Sequence, residues 1–198
     1  MMRAFLPITA AVLLSACSET PVVKTPEKPP EPVSGVHAFY QTYPQARAWA
    51  IDAQPVRVRS IELNELKAIG GTAAAWEVMF ASPSKGRSRI YMWSAVEAAG
   101  SIHKGVFAGH EESWQPGGAD KPFLIQALKI DTPEALKTAI EHSDTYFKGG
   151  GVKPHPKFDL ELTARYPDPV WRVYWGDSVS AAEWSVFIDA TTGQYQGR

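Results

Sequence analysis

The chain has almost no cysteine: Cys17 is the single one in 198 residues, so no disulfide can form within the chain. Long apolar runs are missing too. The most hydrophobic stretch, Ala4 to Leu14, is about ten residues, too short to span a bilayer core of roughly 30 Å. No excess charge of either sign exists, with 20 basic residues against 21 acidic. That balance gives no reason to expect nucleic acid as a partner. Several catalytic signatures are also absent. The sequence holds no Gly-x-Ser-x-Gly elbow, no phosphate-binding loop, no His-Glu-x-x-His helix and no Cys/His zinc spacing. Gly149-Gly150-Gly151 lacks the Lys-Ser/Thr that would follow in a phosphate loop and reads as a linker.

What is present begins with the lone cysteine. Met1 to Arg3 carry a basic charge, Ala4 to Leu14 form a short apolar core, and small residues Ser15 and Ala16 precede Cys17. These are the parts of a secretory signal over residues 1–16. The order Leu14-Ser15-Ala16-Cys17 resembles the lipobox of bacterial lipoproteins. That resemblance implies lipidation of the Cys17 thiol, cleavage before it and acylation of the new amino end. Two or more acyl chains anchor stably where one binds only marginally. Ser18 stands where an aspartate often retains such lipoproteins at the inner membrane. In a Gram-negative host the implied address is the outer membrane, on its periplasmic face. Loss of Arg3 with the signal brings the net charge to about −2, and a body without cysteine is stable there without disulfides.

Residues 17–35 read as the lipidated cysteine and a tether, with prolines at 21, 26, 29, 30 and 32 among Lys, Glu and Thr. Such a segment buries too little apolar surface to fold, and its extended reach is roughly 55 Å.

The body reads as a duplication: a first module over 36–108, a connecting loop and strand over 109–130, and a second module over 131–198. Tyr43-Pro44-Gln45-Ala46 and Thr132-Pro133-Glu134-Ala135 each look like the start of an amphipathic helix, with proline at the first helical position. In the first, Ala46, Trp49, Ala50 and Ala53 share a face; in the second, Leu136, Ala139, Ile140, Ser143 and Phe147 do. The glycines at 149–151 end the second helix. Val56–Asn64, with a bulge near Ser60, and Phe158–Thr163 follow as strands. Then come Ala75-Trp76-Glu77-Val78-Met79-Phe80 and Val170-Trp171-Arg172-Val173-Tyr174-Trp175, the clearest echo, and strands over Arg89–Ser94 and Trp184–Asp189. His103–Ala108 reads as a last strand of the first module, His110–Pro122 as a polar loop and Phe123–Ile130 as a strand.

Val170-Trp171-Arg172-Val173, followed by Val186-Phe187-Ile188-Asp189-Ala190-Thr191-Thr192-Gly193, resembles the C-terminal part of PepSY domains. Asp189 bonds the turn backbone and Gly193 accepts a positive φ, which gives the pattern a physical basis. In the first half Ser94 or Ala95 falls where the aspartate belongs. The resemblance implies an α+β fold of two similar modules, each a helix packed on a small antiparallel sheet, in tandem. PepSY modules are often secreted or membrane-linked, and some are thought to restrain peptidases. Tandem modules also resemble the beta-lactamase inhibitor protein in architecture. Neither family brings a catalytic set or a cofactor.

On this reading the protein is a non-catalytic periplasmic binding lipoprotein, an inhibitor or accessory of an envelope enzyme, with an envelope protein as partner. If Trp171, Val173 and Trp175 pack on the helix, then Arg172, Tyr174 and Phe187 share the uncovered face. Arg and aromatic residues dominate binding hot spots. Tyr91 and Trp114 are further candidates. Two alternatives remain: a scaffold of an envelope assembly, and a metal-dependent enzyme built on His103, His110 and Glu111, or a small-ligand binder with a Trp-rich interior. The expected metal and cofactor are none.

Overall fold

The computed structural model describes residues 28–198; Cys17, the 1–16 segment and the tether as far as 27 lie outside the described residues. Ser34 opens the first helix, α1 (Gly35–Trp49), its hydroxyl accepting from the His37 amide. Pro44 therefore lies inside α1 and does not begin it, which corrects the start expected at Tyr43-Pro44. The reason is tertiary. The Gly35 amide donates to Thr132 Oγ1 at 3.0 Å and the Val36 amide to Asp131 Oδ1 at 3.0 Å, so α1's first amides find partners some 95 residues away. The last residues before α1 also belong to the body, because Val33 pairs with Ala73.

Asp131 in turn caps α2 (Thr132–Glu141), accepting from the Thr132 amide at 2.7 Å. One carboxylate thus serves two helix N-termini, where backbone dipoles favour negative charge. α2 stops at His142, and a separate short helix, α3 (Asp144–Lys148), precedes Gly149. Ala135, Leu136, Ala139 and Ser143 are buried, whereas Ile140 and Phe147 stay substantially exposed. Ile140 lies within α2, and Phe147 lies on α3 beyond the break at His142.

Eight strands form one antiparallel sheet: β1 (Gln54–Ile61), β2 (Ala75–Ser82), β3 (Arg87–Ser94), β4 (Gly105–Ser113), β5 (Pro156–Glu161), β6 (Val170–Gly176), β7 (Ala182–Asp189) and β8 (Tyr195–Gly197), in the order β4-β3-β2-β1-β5-β6-β7-β8. The class is α+β, with a single continuous sheet. The bulge in β1 falls at Val56, between Pro55 and Arg57, not near Ser60. Four residues of β4 beyond Gly109, including His110 and Glu111, belong to the sheet edge and not to a loop. Phe123–Ile130 is not a strand; it carries a single 3-10 turn at Ile125–Ala127. Phe123 is buried in the core and its amide is used by the Pro55 carbonyl.

Strand order and register are symmetric about the β1·β5 pair. Ser60 pairs with Trp76 and Leu160 with Trp171; Glu77 pairs with Met92 and Arg172 with Phe187. The two tryptophans have matching partners, Trp76 Nε1 donating to the Val33 carbonyl at 3.0 Å and Trp171 Nε1 to that of Ile130 at 2.8 Å. Both rings are fully buried.

α1 packs on β1, β2 and β3, and α2 on β6 and β7, all on one face. The main core lies there, built from Phe39, Val58, Trp76, Val78, Phe80, Phe158, Leu160, Trp171, Val173 and Ile188 among others. Among the described residues no helix covers the opposite face. At one end of the first four strands, Leu63, Leu66, Val96 and Ile102 fold over it against Ala75; at the other, Trp114 packs on Val56, Met79 and Ala81. No described helix is long and apolar enough to cross a membrane.

Candidate functional site

Between those two covers a strip of opposed side chains runs across the sheet, exposed at Phe107 and buried at its centre. Register places Phe107, Met92, Glu77, Arg59, Asp159, Arg172 and Phe187 side by side, one from each of β4, β3, β2, β1, β5, β6 and β7. Apolar side chains occupy both ends, and Glu77, Arg59, Asp159 and Arg172 alternate in charge between them. Directly opposed residues in an antiparallel pair share a face and interact most strongly.

Arg59 and Asp159 lie at the centre. Arg59 donates to Asp159 Oδ2 from Nη2 at 2.7 Å and from Nε at 3.1 Å. Asp159 is 2% exposed, and its second oxygen, Oδ1, has no partner. Burial pushes the Asp159 carboxyl up to about 6, against the opposing pull of Arg59. Burial also works against the charge on Arg59, yet Asp159 holds that guanidinium above its ordinary value. Desolvation of a carboxylate is offset by an ion pair only when its remaining lone pairs are also satisfied, and here one oxygen is not.

Beside this pair Arg172 lies between two rings, its guanidinium carbon 5.9 Å from the centre of Tyr174 and 5.6 Å from that of Phe187. Its nitrogens donate to Ser185 Oγ at 3.1 and 3.0 Å and to the Val179 carbonyl at 2.9 Å. Tyr166 and Arg165, from the β5–β6 loop, extend the stack over Phe187. Arg172, Tyr174 and Phe187 therefore come together on the helix-free face. Tyr174, however, is only 4% exposed, so its ring is a packed wall of the site and no free hot spot. Burial, then the nearby Asp159 charge, pushes its phenol upward.

The other two candidates are corrected. Tyr91 pairs with Val78 and faces the helices, 1% exposed, its hydroxyl donating to the Gln45 carbonyl at 3.4 Å. Trp93 shares that face, edge-on to His37. Trp114 is 6% exposed, and its Nε1 donates to the Asp120 carbonyl at 2.9 Å. It staples the β4–α2 connection to the sheet and offers no free surface. The metal-site alternative does not assemble: His103 bonds Glu97 and Glu111 accepts from Trp49 Nε1. Among the described residues no group of three or more His, Cys, Asp or Glu could hold a metal ion.

Arg59, Lys157 and Asp159 escaped the sequence reading. A signal existed: Arg57 and Arg59 alternate in one strand segment, Asp159 and Glu161 in another. Such patterns pair favourably only if the two strands are neighbours, and nothing local says that they are.

A depression of about 680 Å³ opens next to the ion pair, lined by Arg59, Glu62, Lys157, Tyr174, Asp177 and the β6–β7 turn at Ser178–Ser180. Lys157 is held there by Glu62 at 3.3 Å and by the Asp177 carbonyl at 2.9 Å. The arrangement is a polar recess in a charged strip with apolar ends, a surface suited to holding a partner. No family model matches the chain, and neither a curated protein nor a solved structure does.

Proposed function

We propose that the protein is a lipid-anchored periplasmic binding protein of the outer membrane, non-catalytic, which presents the helix-free face of its sheet to a protein partner in the envelope, as an inhibitor or accessory of an envelope enzyme. The anchor in this reading is Cys17, for which the Leu14-Ser15-Ala16-Cys17 order is the support. The body is read as two PepSY-like modules joined through β1 and β5. Support comes from the matched Trp76 and Trp171 hydrogen bonds and the symmetric strand order. The turn after β7 fits the PepSY pattern: Asp189 Oδ1 accepts from the Thr191 and Thr192 amides, and Gly193 has φ +75°.

The single observation that carries the function is the seven-residue strip from Phe107 to Phe187 on a face that none of the described helices covers. An interface with apolar and arginine contacts in a polar surround fits that composition. Phe107 is 49% exposed and can change without disturbing the core. Crosslinked capture from the envelope, with the lipidated chain carrying Phe107→Glu and Phe187→Glu, should lose the partner while the thermal transition is kept. Capture at the native level by this folded double variant would refute the assignment of the face. Tyr174, being buried, is unsuited to that test.

A further inference from the structure

The two edges of the sheet are finished differently. At one, β8 is three residues long, Arg165 Nη1 donates to the Arg198 carbonyl at 3.1 Å, and the Arg198 guanidinium lies 3.3 Å from the centre of the Trp184 ring on β7. A short edge strand with charged side chains around it resists pairing with another chain. At the other edge, β4 is nine residues long and holds neither proline nor lysine. Among the described residues no strand pairs with its outer side. Which backbone groups face outward there follows from the alternation of an antiparallel ladder. The Ala95 amide donates to the Ala74 carbonyl. On β3, Tyr91 and Trp93 therefore bond to β2, while Met92 and Ser94 bond to Phe107 and Gly105 of β4. The N–H and C=O groups of Val106 and Ala108 are left pointing away from the sheet. A bulge at Gly109-His110, opposite Ile90, ends this regular stretch. Between Val106 and Ala108 the Phe107 ring stands on the other face, 49% exposed.

We propose that the β4 edge pairs with the β4 edge of a second copy of the chain, antiparallel and two-fold, with Phe107 at the centre. Outward groups must meet outward groups, so Val106 of each copy faces Ala108 of the other and they exchange N–H···O=C bonds. Neighbouring registers are worse. A centre at Val106 needs the Lys104 amide, which is given to Glu97 Oε1 at 2.9 Å, and a centre at Ala108 sets Val106 against the bulge. In the favoured register the two Phe107 rings are directly opposed in a non-hydrogen-bonded pair, the closest side-chain approach across such a ladder, and aromatic pairs stabilise it there. Charge favours the antiparallel sense, because a parallel one would set Glu111 and Glu112 beside their own copies. A second copy fits this edge for a further reason. The two-fold axis stands perpendicular to a continuous sheet, so both helix layers fall on one side and the two charged strips join on the other. Lys28, Pro30 and Glu31 lie beside Trp93 and Gly105 at the start of β4, so the chains leading to both anchors leave close together. Copies held in one membrane can meet this way, and anchoring raises their effective concentration. The inference goes beyond the proposed function and takes only the anchor from it.

The test is oxidative cross-linking of the full-length chain in isolated envelope membranes, with one added cysteine per variant. Opposed residues of a non-hydrogen-bonded pair have Cα atoms about 4.5 Å apart, within the reach of a disulfide. Phe107→Cys should therefore be trapped as a disulfide-linked dimer. Ser113→Cys, on the same strand but beyond the bulge and far from the axis, should stay monomeric, and so should the native chain, whose one cysteine is Cys17. Adding Ala108→Pro to Phe107→Cys should abolish the cross-link, since it removes an outward N–H and leaves the ladder to β3 intact; a retained thermal transition shows that this variant folds. Absence of a Phe107→Cys dimer, equal cross-linking at Ser113→Cys, or an undiminished cross-link in the folded proline variant would each overturn the inference. Failure here alongside the expected loss of capture in Phe107→Glu/Phe187→Glu removes only the edge pairing. Native-level capture by that double variant removes the reading of the face and leaves the edge to the cross-linking result.

Discussion

Asp159→Asn isolates what the central ion pair does to stability. The carboxyl of Asp159 is 2% exposed and is pushed by burial up to about 6, while in the unfolded chain it titrates near ~3.9. A carboxyl raised in the folded state binds a proton that the unfolded chain has already released. Its contribution to stability is therefore complete below about pH 4 and is lost as pH rises through about 6. A shift of about two units corresponds to ~3 kcal/mol at the limit, of which ~2 kcal/mol falls between pH ~4.5 and ~7.5. The other resolved carboxyl shifts act elsewhere. Asp52 is lowered to about 2 by the Ser82 hydroxyl and then the Ser84 amide, and Glu97 is lowered by the Lys104 amide. Both have the opposite sign and act toward lower pH. Urea unfolding at the two pH values should thus show the native chain losing ~2 kcal/mol on going to the higher one, and Asp159→Asn losing little. An identical pH dependence in the two proteins would show that Asp159 is ionised in the fold at ordinary carboxyl pH, and would refute the account of its burial.

Three further outcomes are expected. A methyl group at Gly35 would lie 2.7 Å from Trp171 Cη2, 3.0 Å from Thr132 Cγ2 and 3.2 Å from Trp76 Cη2; with both rings buried, Gly35→Ala should cost about 1–3 kcal/mol by denaturant titration despite alanine's better helix propensity. Asp131→Ala removes the acceptor shared by Val36 and Thr132 and should cost about 2 kcal/mol, with hydrogen exchange speeding at the first turns of α1 and α2 together; faster exchange in α2 alone would refute the shared cap. Tyr174→Ala should lower stability by about 3 kcal/mol, as the truncation of a packed ring does, and a native melting temperature would contradict its place in the wall of the recess.

Legibility in the sequence followed range. The Trp-strands, their inward faces, the start of α2 and the turn at Asp189–Gly193 all rest on contacts within a few residues, and alternation or turn chemistry exposes such contacts directly. The start of α1 does not. Pro44 in Tyr43-Pro44 imitates a first helical position, but the cap that begins the helix is Ser34, and the partners that hold its first amides are Asp131 and Thr132. Tyr91 and Trp114 are aromatic residues in polar surroundings in the sequence, yet each is buried by a segment remote from it, α1 in one case and the start of β1 in the other.

By itself, then, the sequence marked β1 to β7, the inward faces of the two Trp-strands and the lipobox-like segment around Cys17, while it also suggested a strand at Phe123–Ile130 that the fold does not contain. Only the tertiary structure decided that β1 lies against β5. That one adjacency joins two sets of four strands into a single sheet, brings Arg59 to Asp159 across about a hundred residues, and leaves one carboxylate oxygen buried without a partner. Periodicity records the face on which a side chain lies, because the strand repeat is local. It holds no record of which strand comes to lie alongside, because that is settled by how the two helix-covered halves close around Trp76, Trp171 and the shared cap at Asp131.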